Sequence, residues 1–403
     1  MKTLVFLLIL YLVVFTLGQL LRFTLGMTEI NLHFADIAVG ILVSFWLINK
    51  IIKKEKFVWP PLSKQIFLFF CLAAVSLAFN STPLRSIFHN EMPLAGRELF
   101  VSWLYLFRWI FYAGLYFVVY DLVLIKKELV ENIKKWLIWV GLGVAVFGLG
   151  QYVFLPDTRF LENFGWDPHY FRVIGTFFDP GFLGVILVLS LILLTLWLWK
   201  VKPNKLGILF WLIIYSALAL TYSRASYLAY LLGMGTIAYF KKSPKFFVCI
   251  FAFLIVTILL LPRPGGEGVK LERESTIKYR IINWGQSLTI ARDHPVFGVG
   301  FNAYRYSQRD YGFLDFANWR SSHAGGGADS SLLFVLATTG IFGLLAYLWL
   351  WWKIIITSLK RKDALILATV SALLIHSLFD NSLFYPWVMG WIWILLGAAG
   401  VKD

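Results

Sequence analysis

The chain has 403 residues, of which 59% are apolar and only 15% charged, and its formal charge is +15. A soluble domain is about half apolar and about a quarter charged, so the composition excludes an ordinary soluble protein. The positive excess would suit nucleic acid equally well, and its placement along the chain decides against that.

Apolar runs of membrane-spanning length recur from end to end. The first, from Leu4 on, follows Met1 and Lys2 as a signal peptide would. It runs on to Leu21, however, no small-x-small cleavage site follows, and a second run comes at once, so it is read as a retained span. Spans are expected at 4–25, 30–50, 66–81, 99–121, 136–154, 180–199, 206–221, 224–240, 246–262, 330–352, 364–380 and 386–401. The fold class is therefore all-α: a polytopic membrane bundle of about 12 transmembrane helices. Residues 1–262 hold helices 1–9, 263–329 form a large, mostly helical loop subdomain, and 330–403 hold helices 10–12.

Lysine-rich loops at 51–65, 122–135, 200–205, 241–245 and 353–363 fall on alternate sides of these spans, hence on one face, which the positive-inside rule makes cytoplasmic with both termini. That face carries 21 Lys+Arg against 6 Asp+Glu, and the outer face 16 against 16, so the whole +15 is an orientation signal. Twenty of the inner cations are lysine, whereas fourteen of the outer ones are arginine. Orientation does not call for arginine outside. Arginine's planar fork grips phosphate or carboxylate bidentately and keeps its charge when desolvated, which points to an outward-facing site for an anion.

In chain order, Arg108 comes first, deep in the span at 99–121 between Trp103 and Trp109; an intramembrane charge is functional by default. In RVIGTFFDPGFLG (172–184), Asp179-Pro180 reads as a helix start, while Arg172 has no acidic partner at helical spacing. In TYSRAS (221–226), Arg224 sits at a very tight turn beside Tyr222, Ser223 and Ser226, hydroxyls able to share an anion; interfacial snorkelling is the plainer alternative. In YRIINWGQSLTIARDHPVFGVGFNAY (279–304), Arg280 and Trp284 lie one turn apart, and Arg292, Asp293 and His294 read as a surface salt-bridge cluster. In SSHAGGGADSSLLFVLATTGIFG (321–343), His323 reads as a loop residue and Asp329 as a helix cap. Finally, His376 and Asp380 stand four apart and face each other on a helix.

Together these motifs resemble the O-antigen ligase and polysaccharide polymerase family of bacterial membrane glycosyltransferases. The match rests on RVIGTFFDPGF, LTYSRASYLA, the Arg280…Trp284…DHPVFGVGFNAY block and SSLLFVLATTGIFG, over roughly residues 95–400. The resemblance implies a glycan donor carried on undecaprenyl diphosphate, a glycan or lipid acceptor, and a site on the outer face of the bacterial cytoplasmic membrane. It also implies that Arg172, Arg224 and Arg280 clamp the diphosphate, with Arg108, Tyr222, Ser223, His376 and Asp380 in possible support. The reaction expected is metal-independent inverting glycosyl transfer, with no cofactor and no nucleic-acid partner. The family places a histidine at the start of the span after the large loop, where this chain has Asp329. Three readings stay open: Asp329 is the base, His323 reaches in across the glycine hinge, or catalysis is altered. A carboxylate in place favours Asp329. From another class, a multi-span transporter or flippase of lipid-linked oligosaccharide is the alternative.

Overall fold

A computed structural model describes residues 1–24, 30–89, 91–201, 203–314, 319 and 327–400. α1 (Lys2–Leu17) gives way at Gly18 to a single 3-10 turn and then to β1 (Arg22–Thr24), which pairs antiparallel with β2 (Asn31–His33), Arg22 opposite His33. The expected first span, 4–25, therefore ends eight residues early as α-helix. α2 (Phe34–Ile52), α3 (Ser63–Asn80), the short α4 (Leu84–His89), α5 (Gly96–Ile125) and α6 (Leu129–Phe154) follow. Then come α7 (Pro180–Val201), α8 (Lys205–Ala219), α9 (Arg224–Phe240) and α10 (Pro244–Leu260). The segment after α10 carries α11 (Ser275–Asp293) and the short α12 (Tyr304–Asp310), before α13 (Ser331–Lys360), α14 (Ala364–His376) and α15 (Pro386–Ala399).

A helix stands at every expected span. Seven stretches are long and apolar enough to cross a bilayer, the first being α1 with its 3-10 turn; α8, α10, α14 and α15 are apolar but shorter. The architecture is an all-α polytopic bundle. α7 is its central post, apolar on all sides and mostly buried, as a helix must be when surrounded by others. Small residues let α9 approach it: a Cβ on Gly184 would come within 2.2 Å of Ser226 Oγ, so the start of α9 lies directly against the start of α7. Cys71 and Cys249 are exposed on the outside of the bundle.

α13 is broken at Gly340, whose φ of 66° suits only glycine, and the HPVFGVG stretch fills the break. Val299 and Gly300 donate backbone N–H to the carbonyls of Ala337 and Thr338 at 3.0 Å, and Ile341 N–H reaches Pro295 O at 2.9 Å. Ser76 and Asn80 of α3 bond to the same loop. The most distinctive motif of the sequence is thus a plug that satisfies the backbone of a broken apolar helix, where unmet groups are costly. His294, expected in a surface cluster, is instead buried with Nε2 3.0 Å from Glu91 Oε1, and Asp293 accepts from Tyr311.

Arg108 is also a structural residue. Its guanidinium bonds Asp36 at 2.8 Å and the Asn31 carbonyl, packs on the Tyr105 ring, and so links α5 to α2 and the hairpin. It satisfies a buried charge and takes no part in the cavity described next.

Candidate functional site

Where α7 and α9 begin and α14 ends, a cavity of about 590 Å³ opens beneath α11. Arg172, Arg224, Arg273 and Arg280 line it together with Asp167, Asp179, Asp329 and Asp380. The three arginines singled out from sequence, 52 and 56 residues apart in succession, thus share one wall-to-wall space with the proposed base.

Backbone carbonyls aim most of these cations. The tight turn after α8 puts Tyr222 at φ 50°, which presents successive carbonyls inward. Thr221 O accepts from Arg172 Nε at 2.9 Å, and Tyr222 O lies 3.5 Å from Arg172 Nη2 and 3.4 Å from Arg273 Nη2. Arg224 Nη1 returns the connection, donating at 3.1 Å to the carbonyls of both Leu271 and Arg273. Arg273 also bonds Gly268 O, Lys270 O and Thr276 Oγ1. Segments around 172, 222 and 272 are therefore tied into a ring by guanidinium-to-carbonyl bonds. Among the described residues no carboxylate pairs with Arg172, Arg224 or Arg273. Only Arg280 is paired, to Asp380 at 3.0 Å.

The electrostatic result is an excess of unanswered positive charge at one end. Burial, then repulsion from Arg273, brings Arg172 down to about 10, with Asp179 and Asp167 opposing; burial and repulsion from Arg224 and Arg280 bring Arg273 to about 10, with Glu267 opposing. An anion would relieve both.

Asp329 lies at the other end. Its backbone N–H donates to Asn283 Oδ1 at 2.7 Å, and Asn283 Nδ2 donates to Gly327 O, so α11 fixes the position. The helix cap expected at Asp329 is made instead by Ser330, whose Oγ accepts from Leu333 N. That frees the Asp329 carboxylate, which has no hydrogen-bond partner among the described residues. Burial, and next the Asp380 charge, push its carboxyl up to about 7.

Asp179 does cap α7, accepting from Phe182 N at 2.7 Å. Ser223 caps α9 while lining the cavity. Tyr222 is wholly buried and acts through its carbonyl, its hydroxyl being bound to Pro262 O. His376 stands behind the cavity, bonded to Ser226 and Ser382, with Nε2 3.6 Å from Asp380 Oδ2. His323 lies outside the described residues. Arg273, His169 and Asp167 carry no signal in the sequence: each sits in a loop without periodicity, and only the general excess of outer arginine bears on Arg273.

A many-helix membrane protein whose long inter-helix segment folds over an arginine- and carboxylate-lined cavity defines the class: a polytopic membrane protein with an enclosed polar site at one end of the bundle. Residues 208–348 match the family model for O-antigen ligase, a stretch that includes Arg224, Arg273, Arg280 and Asp329. Over that stretch the chain is similar to O-antigen ligases, which supports its assignment to that family of membrane glycosyl-transfer proteins. No curated protein matches the chain.

Proposed function

We propose that the protein transfers a glycan from undecaprenyl diphosphate to an acceptor hydroxyl on the outer face of the cytoplasmic membrane, by ligation or by chain extension, without metal. The observation that carries this reading is the pair Arg172 and Arg273: one buried and one half-buried guanidinium, held by carbonyls and ion-paired with no carboxylate among the described residues, lining a cavity that also holds the Asp329 carboxylate.

Arg172, Arg224, Arg273 and Arg280 hold the diphosphate. The acceptor oxygen attacks the anomeric carbon from the side opposite the phosphate, and configuration inverts. The C–O bond to phosphate breaks with its electron pair left on the phosphate oxygen, where the arginines stabilise the charge that develops. The acceptor proton passes to the Asp329 carboxylate, whose raised basicity near neutral pH suits a general base. α11 and the segment that leads into it, 263–293, close over the reacting groups. Lysine-rich loops lie at the opposite ends of the helices, which supports the outward placement.

The test is incubation of the purified protein with an undecaprenyl-diphosphate-linked oligosaccharide and acceptor, in the presence of chelator and without nucleotide. A new glycosidic bond is expected. Movement of the lipid-linked glycan across vesicles with no new bond would replace this reading with a flippase.

A further inference from the structure

His169 lines the same cavity and has no part in the scheme above. It stands between α6 and α7, only 8% exposed, and its Nε2 has no hydrogen-bond partner among the described residues. A buried polar atom of this kind is normally satisfied, and here the backbone that carries it is held in place. The His169 carbonyl accepts from both Thr158 N and Thr158 Oγ1 at 3.0 Å. The next residue, Tyr170, bridges antiparallel to Asp157, and its ring lies 4.7 Å from the Arg159 guanidinium. The backbone at His169 is thus fixed, and its imidazole lies on the cavity wall with Nε2 unbonded among the described residues.

Its charged neighbours are Arg172 and Arg273, two of the three cavity cations that have no ion-paired carboxylate among the described residues. Burial first, and then those two charges, hold the imidazole well below its ordinary range, so it is neutral at physiological pH. A neutral imidazole next to two guanidiniums cannot serve them as a counter-ion. With its hydrogen on Nε2 it can add a third donor to the same anion. A proton acceptor is better supplied from the Asp329 end, where carboxylates and Arg280 set the field.

We propose that His169 is a further ligand of the donor diphosphate, donating Nε2–H to a phosphate oxygen held by Arg172 and Arg273. This rests on the reading of the cavity as a diphosphate site.

The test uses the full-length protein with inorganic pyrophosphate as probe, comparing wild type with H169L, H169Q and R172A, alongside donor KM, kcat and pH profile. H169L should bind pyrophosphate about tenfold more weakly, as loss of one hydrogen bond to a charged group requires. H169Q, which restores an N–H donor, should recover most of that loss, with the acid limb of the pH profile in place. In the wild type, 15N-histidine NMR should show one neutral imidazole responding to pyrophosphate, a readout that survives if H169L fails to fold. Binding weakened by R172A but not by H169L overturns the role of His169 alone. Binding indifferent to both overturns the diphosphate site itself. Equal damage from H169L and H169Q, or loss of the acid limb in H169Q, would show packing or proton transfer instead.

Discussion

Arg280 of α11 and Asp380, just beyond α14, meet across the cavity with Nη2 and Oδ1 3.0 Å apart, a hundred residues apart in the chain. The pair fastens the segment between α10 and α13 to the end of the bundle, and it sets both the free charge of Arg280 and the field at Asp329. Asp380→Asn should release Arg280 to an incoming anion and withdraw one of the charges that raise Asp329. Donor KM should fall, and the acid limb of kcat/KM should move to lower pH. A limb that stays in place would show that Asp380 is not what tunes the base.

Asp329 serves as a base only when ionised, and its carboxyl titrates at about 7, so the transfer rate should fall as pH drops below neutrality and level off above it. Asp329→Asn should abolish this limb and cut kcat by roughly 10²–10⁴-fold, the usual range for a positioned base. Asp329→His, which installs the residue the family places there, should retain measurable transfer, with the limb moved to the imidazole. Initial rates across pH 5–9 test all three.

Arg224 uses Nη1 to hold the carbonyls of Leu271 and Arg273, leaving the rest of its fork for the cavity. Lysine keeps the charge but has one point of contact. Arg224→Lys should insert and fold normally yet lose about 10–100-fold in kcat/KM, the value of a charge-assisted hydrogen bond. Unchanged turnover would remove Arg224 from the clamp.

Arg108 and Asp36 form a buried pair, and removing one partner strands the other at a cost of about 3–5 kcal/mol. Arg108→Met should therefore lower thermal stability sharply, whereas Arg108→Met with Asp36→Leu should recover much of it. Transfer per folded molecule should match the wild type in the double variant, because the pair lies outside the cavity.

Two glycines should respond in opposite ways to alanine. At Gly340 a Cβ would sit 2.1 Å from Val296 O at a φ of 66°, so the plug would be forced out of the helix break. Loss of several kcal/mol, or failure to fold, is expected. Gly285, mid-way along α11, has nothing within 4 Å of its Cβ, and Gly285→Ala should stabilise by roughly 0.5–1 kcal/mol. Thermal melts in one detergent compare them.

The helices were legible because an apolar run long enough for a membrane has few alternatives, and each of the twelve expected spans holds a helix. Their ends were less so: α14 stops at His376 because the chain turns to bring Asp380 onto Arg280, a tertiary contact no local pattern encodes. Arg172, Arg224 and Arg280 stood out because a charge beside apolar sequence is conspicuous, and the fold gathers them. Arg108 was equally conspicuous and is structural, since Asp36, seventy-two residues earlier, answers it. Arg273 and His169 escaped notice because a cation or imidazole in a polar loop is unremarkable until the fold buries it. Likewise Asp329 looked like a cap until Ser330 took that place.

The repulsion between Arg172 and Arg273 bears on the end of the reaction as well as its start. On the proposed chemistry the departing carrier lipid has one more ionised oxygen than the glycosylated form, so two crowded cations favour the spent carrier over the loaded one. Turnover would then be governed by escape of that lipid into the bilayer, and the enzyme would slow wherever discharged carrier accumulates faster than the cell recycles it.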